Sequence, residues 1–260
     1  MVKILKYSLF DLFRSRWTVI YFLIFHLASW VFLYFGNDLH KGMASLLNMT
    51  LILVPLVSML FGVIHFYNSR EFIELLLAQP VRRRDIFMGM YAGLAGSLSL
   101  GYACGIGIPF MVYGLILSAE IFNFFSLIVA GIFLTFIFTG FAYFISMLFD
   151  NRLKGFGLAM LVWLFMAFIY DGLFLVSLLV FREYPVEKLA IFLSFLNPVD
   201  LSRTLVMLKL DMSALLGYTG AVFQKFFGTN SGMIISISAL TVWAVLPVLG
   251  FLGLSNKKDF

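Results

Sequence analysis

A chain of 260 residues that is 62% hydrophobic and only 12% charged departs far from the ~25% charge of soluble globular domains, and its composition is that of a membrane protein. Its eighteen basic and thirteen acidic side chains leave a net charge of +5, but the basic groups sit at the ends of apolar runs and form no stripe with exposed aromatics, which excludes nucleic acid as a partner. The single cysteine, Cys104, excludes an internal disulfide and a cysteine-based metal cluster.

At the start of the chain, Ile4, Leu5, Leu9, Leu12 and Phe13 recur at helical spacing among Lys3, Lys6, Arg14 and Arg16. With no small-residue cleavage site after them, they predict a basic amphipathic helix lying along the cytoplasmic face rather than a signal peptide. About 20 mainly apolar residues are needed to cross the hydrocarbon of a bilayer. Six segments meet that length, at about 17–36, 46–67, 86–117, 122–149, 155–181 and 232–254. The chain therefore reads as one all-α integral membrane domain, 1–260, with a segment at 68–85 between the second and third spans and a long connection at 182–231 before the last.

The basic residues orient it. Lys3, Lys6, Arg14, Arg16, Arg70, Arg82, Arg83, Arg84, Arg152, Lys154, Lys257 and Lys258 all fall on one side, while the two short loops on the other carry only Lys41. That asymmetry predicts both termini in the cytoplasm of a multi-pass inner-membrane protein.

Between the second and third spans, residues 70–79 predict a helix with Phe72, Leu75, Leu76 and Gln79 on one stripe and Glu71, Glu74 and Ala78 on another; Pro80 ends it and Arg82 to Arg84 open the next span. Such a helix either floats at the membrane surface or docks in a groove of a soluble partner. In the third span Gly89 and Gly93, then Gly101 and Gly105, have the spacing that lets helices approach closely, either as fixed packing or as a seam that slides. Pro55 and Pro109 predict kinks.

Asp171, in the fifth span, is a carboxylate in a costly place and a candidate for a transport path; the other reading puts it at a re-entrant turn at Asp171-Gly172. In the long connection, Asn197 as cap, Pro198 at the first helical position and Asp200 near the positive end of the dipole predict a short helix on the outer surface, with Leu201, Leu205 and Leu208 on one face. The apolar patch 213–227 is too short to cross and reads as interfacial or re-entrant.

Catalytic signatures are absent. There is no glycine-rich phosphate loop, no HExxH pair and no GxSxG elbow, so any ATP and Mg belong to another chain. His26, His40 and His65 and the scattered methionines, including Met88 and Met90, gather no ligand set with Cys104, and no metal site or bound cofactor is expected.

The stretch Glu71, Glu74-Leu75-Leu76-Leu77, Pro80-Val81, Arg83-Arg84-Asp85-Ile86 and Gly89 resembles the signature between spans two and three of type-two ABC exporter permeases. It departs from the common pattern at Arg82, where serine is usual, and at Met90, where many relatives carry lysine. The resemblance covers essentially the whole chain and implies that 68–85 is a coupling helix docking on an ATPase subunit through Arg70, Glu71, Glu74, Arg82, Arg83 and Arg84. Within the family, Asp171 followed by Gly-Leu-Phe-Leu and "LNPVDLSR" at 196–203 are similar to the branch that serves copper–sulfur centre assembly in nitrous oxide reductase. That likeness implies a homodimer bound by two ATPase copies. It also implies a periplasmic solenoid protein on the outer face, contacted through Asn197, Pro198, Asp200 and Arg203. An exporter of a drug, lipid or peptide, and an anchor or channel without an ATPase, are the alternative readings.

Overall fold

A computed structural model describes residues 15–36, 38–118, 120–181, 186–210 and 230–255. The expected N-terminal helix, the patch at 213–227 and Lys257 and Lys258 lie outside these residues. Every regular element among them is helical: α1 Arg16–Gly36, α2 Leu39–Asn68, α3 Arg70–Leu77, α4 Arg83–Val112, α5 Ile121–Leu148, α6 Arg152–Leu164, α7 Tyr170–Val180, α8 Val186–Phe195, α9 Pro198–Lys209 and α10 Asn230–Ser255. A π-helical turn at Phe165–Ile169 joins α6 to α7 without a break, so Arg152–Val180 is one span of 29 residues. Among the described residues, six helices are long and apolar enough to cross a membrane.

The order of helices follows from local chemistry. Asp38 caps α2, its Oδ1 accepting from the His40 amide at 3.2 Å, and Asn151 caps α6 by accepting from the Leu153 amide at 2.9 Å. Pro80 stops the chain after α3, since the residue before a proline is pushed away from helical geometry. Three contacts bring one set of helix ends together. Tyr67 donates to the Phe149 carbonyl at 2.6 Å, Arg70 pairs with Asp150 at 3.6 Å, and Arg83 Nη1 donates to the Ser255 carbonyl at 3.2 Å. The α2–α3–α4 elbow therefore shares its end of the bundle with the close of α5, the start of α6 and the close of α10.

At the centre stands α5, packed against α2, α4, α6, α9 and α10. Its contacts are apolar, but tyrosines from its neighbours reach its backbone: Tyr102 donates to the Leu127 carbonyl at 3.1 Å and Tyr91 to the Phe136 carbonyl at 3.0 Å. A hydroxyl in hydrocarbon costs free energy unless it finds such an acceptor. His65 Nδ1 likewise meets the Tyr143 hydroxyl at 2.8 Å. Against α4, α1 packs through small residues: a side chain at Gly105 would meet the Phe22 carbonyl and the Phe25 Cβ, both at 3.0 Å. The second glycine pair of that span serves close packing within the chain.

Arg152–Val180 is the least covered span. Gly155, Ala159 and Ala167 are its buried residues, and it presents Leu161, Phe168, Leu175, Leu179 and Val180 outward. The turn expected as one reading of Asp171-Gly172 is not there: helix runs through both residues to Val180. A broken path occurs further on, where α8 and α9 meet at 114°. At that angle the pair turns back instead of crossing.

Candidate functional site

The residues singled out by their sequence fall into two places. The first is the elbow at one end of the bundle. Ser69 separates α2 from α3, and its amide donates to the His65 carbonyl at 3.0 Å, so α3 begins where α2 stops with almost no slack. The eight residues of α3 are fixed by Ile73, which is fully buried; burying a side chain of that size stabilises by about 1.5–3 kcal/mol.

This buried residue is not on the stripe of Phe72, Leu75, Leu76 and Gln79. Ile73 faces inward, whereas Phe72 and Leu75 are exposed, Leu75 at 68%. Glu71, Glu74, Arg82 and Arg84 are exposed beside them. Arg70 sits between Glu74, at 3.7 Å, and Asp150, at 3.6 Å, and Arg83 reaches the end of α10. These two arginines thus tie the elbow to neighbouring helix ends, while the outward surface offers apolar side chains framed by both signs of charge. Exposed ion pairs of this kind contribute ~0–1 kcal/mol each, so the elbow's rigidity comes from Ile73 and the short links.

The second place joins residues that the sequence kept apart. Asp171 was singled out for a path through the membrane, and Asn197, Pro198, Asp200 and Arg203 for an outer contact. The structure gathers Asp171, Asn197, Asp200 and Arg203 into one cluster where α9 meets the π-helical turn. Arg203 Nη1 donates to Asp171 Oδ2 at 2.7 Å and to Asp200 Oδ1 at 3.1 Å.

Asn197 does three jobs. Its Oδ1 accepts from the Val199 amide at 3.0 Å, and its Nδ2 donates to the Met166 carbonyl at 2.8 Å and to Asp200 Oδ2 at 3.3 Å. A π-turn shifts the backbone bonding of its carbonyls, and the Met166 carbonyl of this turn is the one that accepts from the asparagine. Pro198 begins α9 and is buried.

The cap and proline behaved as their sequence pattern predicts, but the helix does not lie on the surface. Leu201 and Leu205 are buried, as are Asn197, at 1% exposed, and Asp200. A face-alternation pattern marks which side is apolar, not how deep the element sits. Two further residues hold the hairpin and carried no motif: Tyr170 donates to the Leu193 carbonyl at 2.6 Å, and Trp243 of α10 to the Phe195 carbonyl at 2.9 Å. Their only signals were a tyrosine adjoining Asp171 and a tryptophan inside an apolar span.

Burial holds the Asp200 carboxyl well above the ordinary carboxylate range, at about 8, with the hydrogen bond and charge of Asp171 adding to the rise and Arg203 and Asn197 opposing it. No group of three or more histidine, cysteine or acidic side chains able to hold a metal ion occurs among the described residues. A crevice of about 310 Å³ between α5 and α10, lined by Val129, Ile132, Phe133, Phe136 and Ala244, is apolar throughout and away from both places.

No protein-family profile matches the chain. Curated relatives do, and they are permeases of ABC transporters. A probable ABC transporter permease protein NosY of Stutzerimonas stutzeri is 26% identical over 97% of this chain and 93% of its own length. A protein of the same name from Pseudomonas aeruginosa is 25% identical over 81% of this chain and 82% of its own. The likeness extends over most of the six-span architecture and supports a transport subunit of the ABC class.

Proposed function

We propose that this chain is the permease subunit of an ATP-driven transporter and that its elbow, α3 with residues 78–85, converts movement of an ATPase into movement of the spans. The observation that carries this reading is the mounting of α3. It is linked to α2 through one residue and anchored by Ile73, and its Glu71, Glu74 and Leu75 face outward. A force on such an element reaches α2 and α4 together, whereas a loosely tethered helix would dissipate it.

In this reading ATP and Mg sit on a NosF-like ATPase subunit, this chain binds neither, and two copies form a homodimer in the inner membrane. Both termini and the elbow face the cytoplasm. Glu71, Glu74, Arg82 and Arg84 supply the charged docking contacts, with Arg70 and Arg83 bracing the elbow from inside. A NosD-like periplasmic protein covers the opposite end, where the buried state of Asn197 and Asp200 leaves Arg203 and the flanking surface of the hairpin to meet it. Asp171 belongs to the moving outer machinery through its pairing with Arg203.

The names of both relatives, together with the motifs around Asp171 and 196–203, favour a NosY-type role in assembling the copper–sulfur centre of nitrous oxide reductase. Removing the gene from a denitrifying host and reading the copper spectrum of the reductase tests this. Reductase lacking its copper–sulfur centre, restored by the gene in trans but not by a Glu74→Arg form, is the expected result. A normal centre in the deletion strain would contradict the maturation role and leave a general exporter of a drug, lipid or peptide.

A further inference from the structure

The cluster on α9 contains one cation and two carboxylates in a place poor in water. A single guanidinium nitrogen serves Asp171 and Asp200 at once, and the two carboxylates stand on different elements, which are also joined by the Asn197 bond to Met166 and, on the α8 arm of the hairpin, by the Tyr170 bond to Leu193. With one proton on the pair the cluster is neutral; with none it carries an uncompensated negative charge. Other elements packed on α9 do not alter that arithmetic. The described parts of α5 and α10 contain no Asp, Glu, Lys or Arg, α2 carries His40, Lys41, His65 and Tyr67, α8 carries Glu187 and Lys188, the Tyr170 hydroxyl feels the charge of Asp200, and the charges that bear on the Asp200 carboxyl are those of Asp171 and Arg203.

We propose that Asp171 and Asp200 form a proton-binding pair which latches the turned-back α8–α9 hairpin onto the fifth span, so that loss of the shared proton loosens the hairpin. Three features point the same way. The hairpin turns back at 114° and so can lift without unthreading a span. Its docking side is held by polar contacts to a π-turn, an irregularity whose carbonyl accepts from Asn197. Asp200 and Asn197 are themselves buried, so movement of the hairpin opens them to water.

The proton leaves the Asp200 carboxyl for bulk solvent; no bond other than O–H is broken. The sign follows from the raised affinity of the docked state for that proton. Docking is strongest below the ordinary carboxylate range and weakens as pH rises toward the docked value, after which it stays weak. The inference rests on the geometry of the hairpin and not on which substrate or partner the chain serves.

Hydrogen exchange of the α9 amides, measured on the full chain in lipid nanodiscs at pH 6 and pH 9 and corrected for intrinsic exchange rates, tests it. The protection factor of 198–209 falls about tenfold or more across that interval, since each pH unit shifts such an equilibrium by up to ~10-fold. In Asp200→Asn, a neutral mimic of the protonated acid, protection stays high and changes less than about twofold, given that the single pH-linked group is gone. Asp171→Asn removes the charge and hydrogen bond of Asp171 but not the burial of Asp200, so it gives a profile shallower than wild type, and it stands in should the first variant fail to fold. A flat wild-type profile, or a variant as steep as wild type, overturns the proposal.

Discussion

A methyl group added at Gly131 falls on the ring of Tyr102. That ring cannot swing aside without losing the bond of its hydroxyl to the Leu127 carbonyl. Gly131→Ala therefore strains the α4–α5 contact and lowers stability by about 1–3 kcal/mol, the range for overpacking a core. Gly107→Ala, where nothing lies within 4 Å, removes backbone freedom at no steric cost and raises stability by about 0.5–1 kcal/mol. Thermal unfolding of the two variants in detergent should move in opposite directions; equal shifts would mean that the packing read at Gly131 is wrong. The glycine spacing at 101–105 was legible as a close seam, but its partner was not, because spacing says only that a backbone can come near. It took the meeting of Gly105 with Phe22 and Phe25 to identify α1.

At the scale of elements, the elbow and the hairpin separate what is readable from what is not. The start of α9 was written locally: Asn197, Pro198 and Asp200 satisfy amides and a dipole through neighbours in sequence. Where α9 goes was not, because its position depends on a bond from Asn197 to the carbonyl of Met166, thirty-one residues away and inside a π-turn. For the same reason Asp171 and Arg203 looked like members of two separate sites. Arg203→Met leaves both carboxylates without their shared cation. It should destabilise the chain more than the double variant Arg203→Met with Asp171→Asn, by about 1–3 kcal/mol, a range set by the cost of an unpaired charge but reduced for partial exposure. Chemical unfolding of the single and double variants reads this directly, and additive losses would show that the cluster does not act as a unit. In the elbow, Ile73→Ala removes the one buried anchor of α3. A loss of about 2–5 kcal/mol in local stability, typical for truncating a fully buried aliphatic side chain, should appear as faster hydrogen exchange confined to 70–77. Exchange unchanged there would mean that Ile73 does not hold the elbow.

For the whole molecule, hydropathy and the six apolar runs made the all-helical membrane architecture legible, since each run alone must satisfy its backbone within the bilayer. The packing order around α5 was not, because every span is apolar on most sides and the tyrosine contacts that sort them are single side chains. The transporter reading joins these scales: an elbow mounted on two spans at one end, and a hairpin latched to a third at the other. Affinity purification of the chain from its native membrane, followed by assay of ATP hydrolysis and mass spectrometry of what accompanies it, tests that reading most directly. An ATP-binding subunit should co-purify with the wild-type chain. Glu74→Arg and Leu75→Asp, both on the exposed face of α3, should lose most of that subunit or its transport-linked ATP hydrolysis, while the thermal stability of the permease stays within a few degrees of wild type. A wild-type preparation free of any ATP-binding subunit, or full association and coupling in both variants, would contradict it.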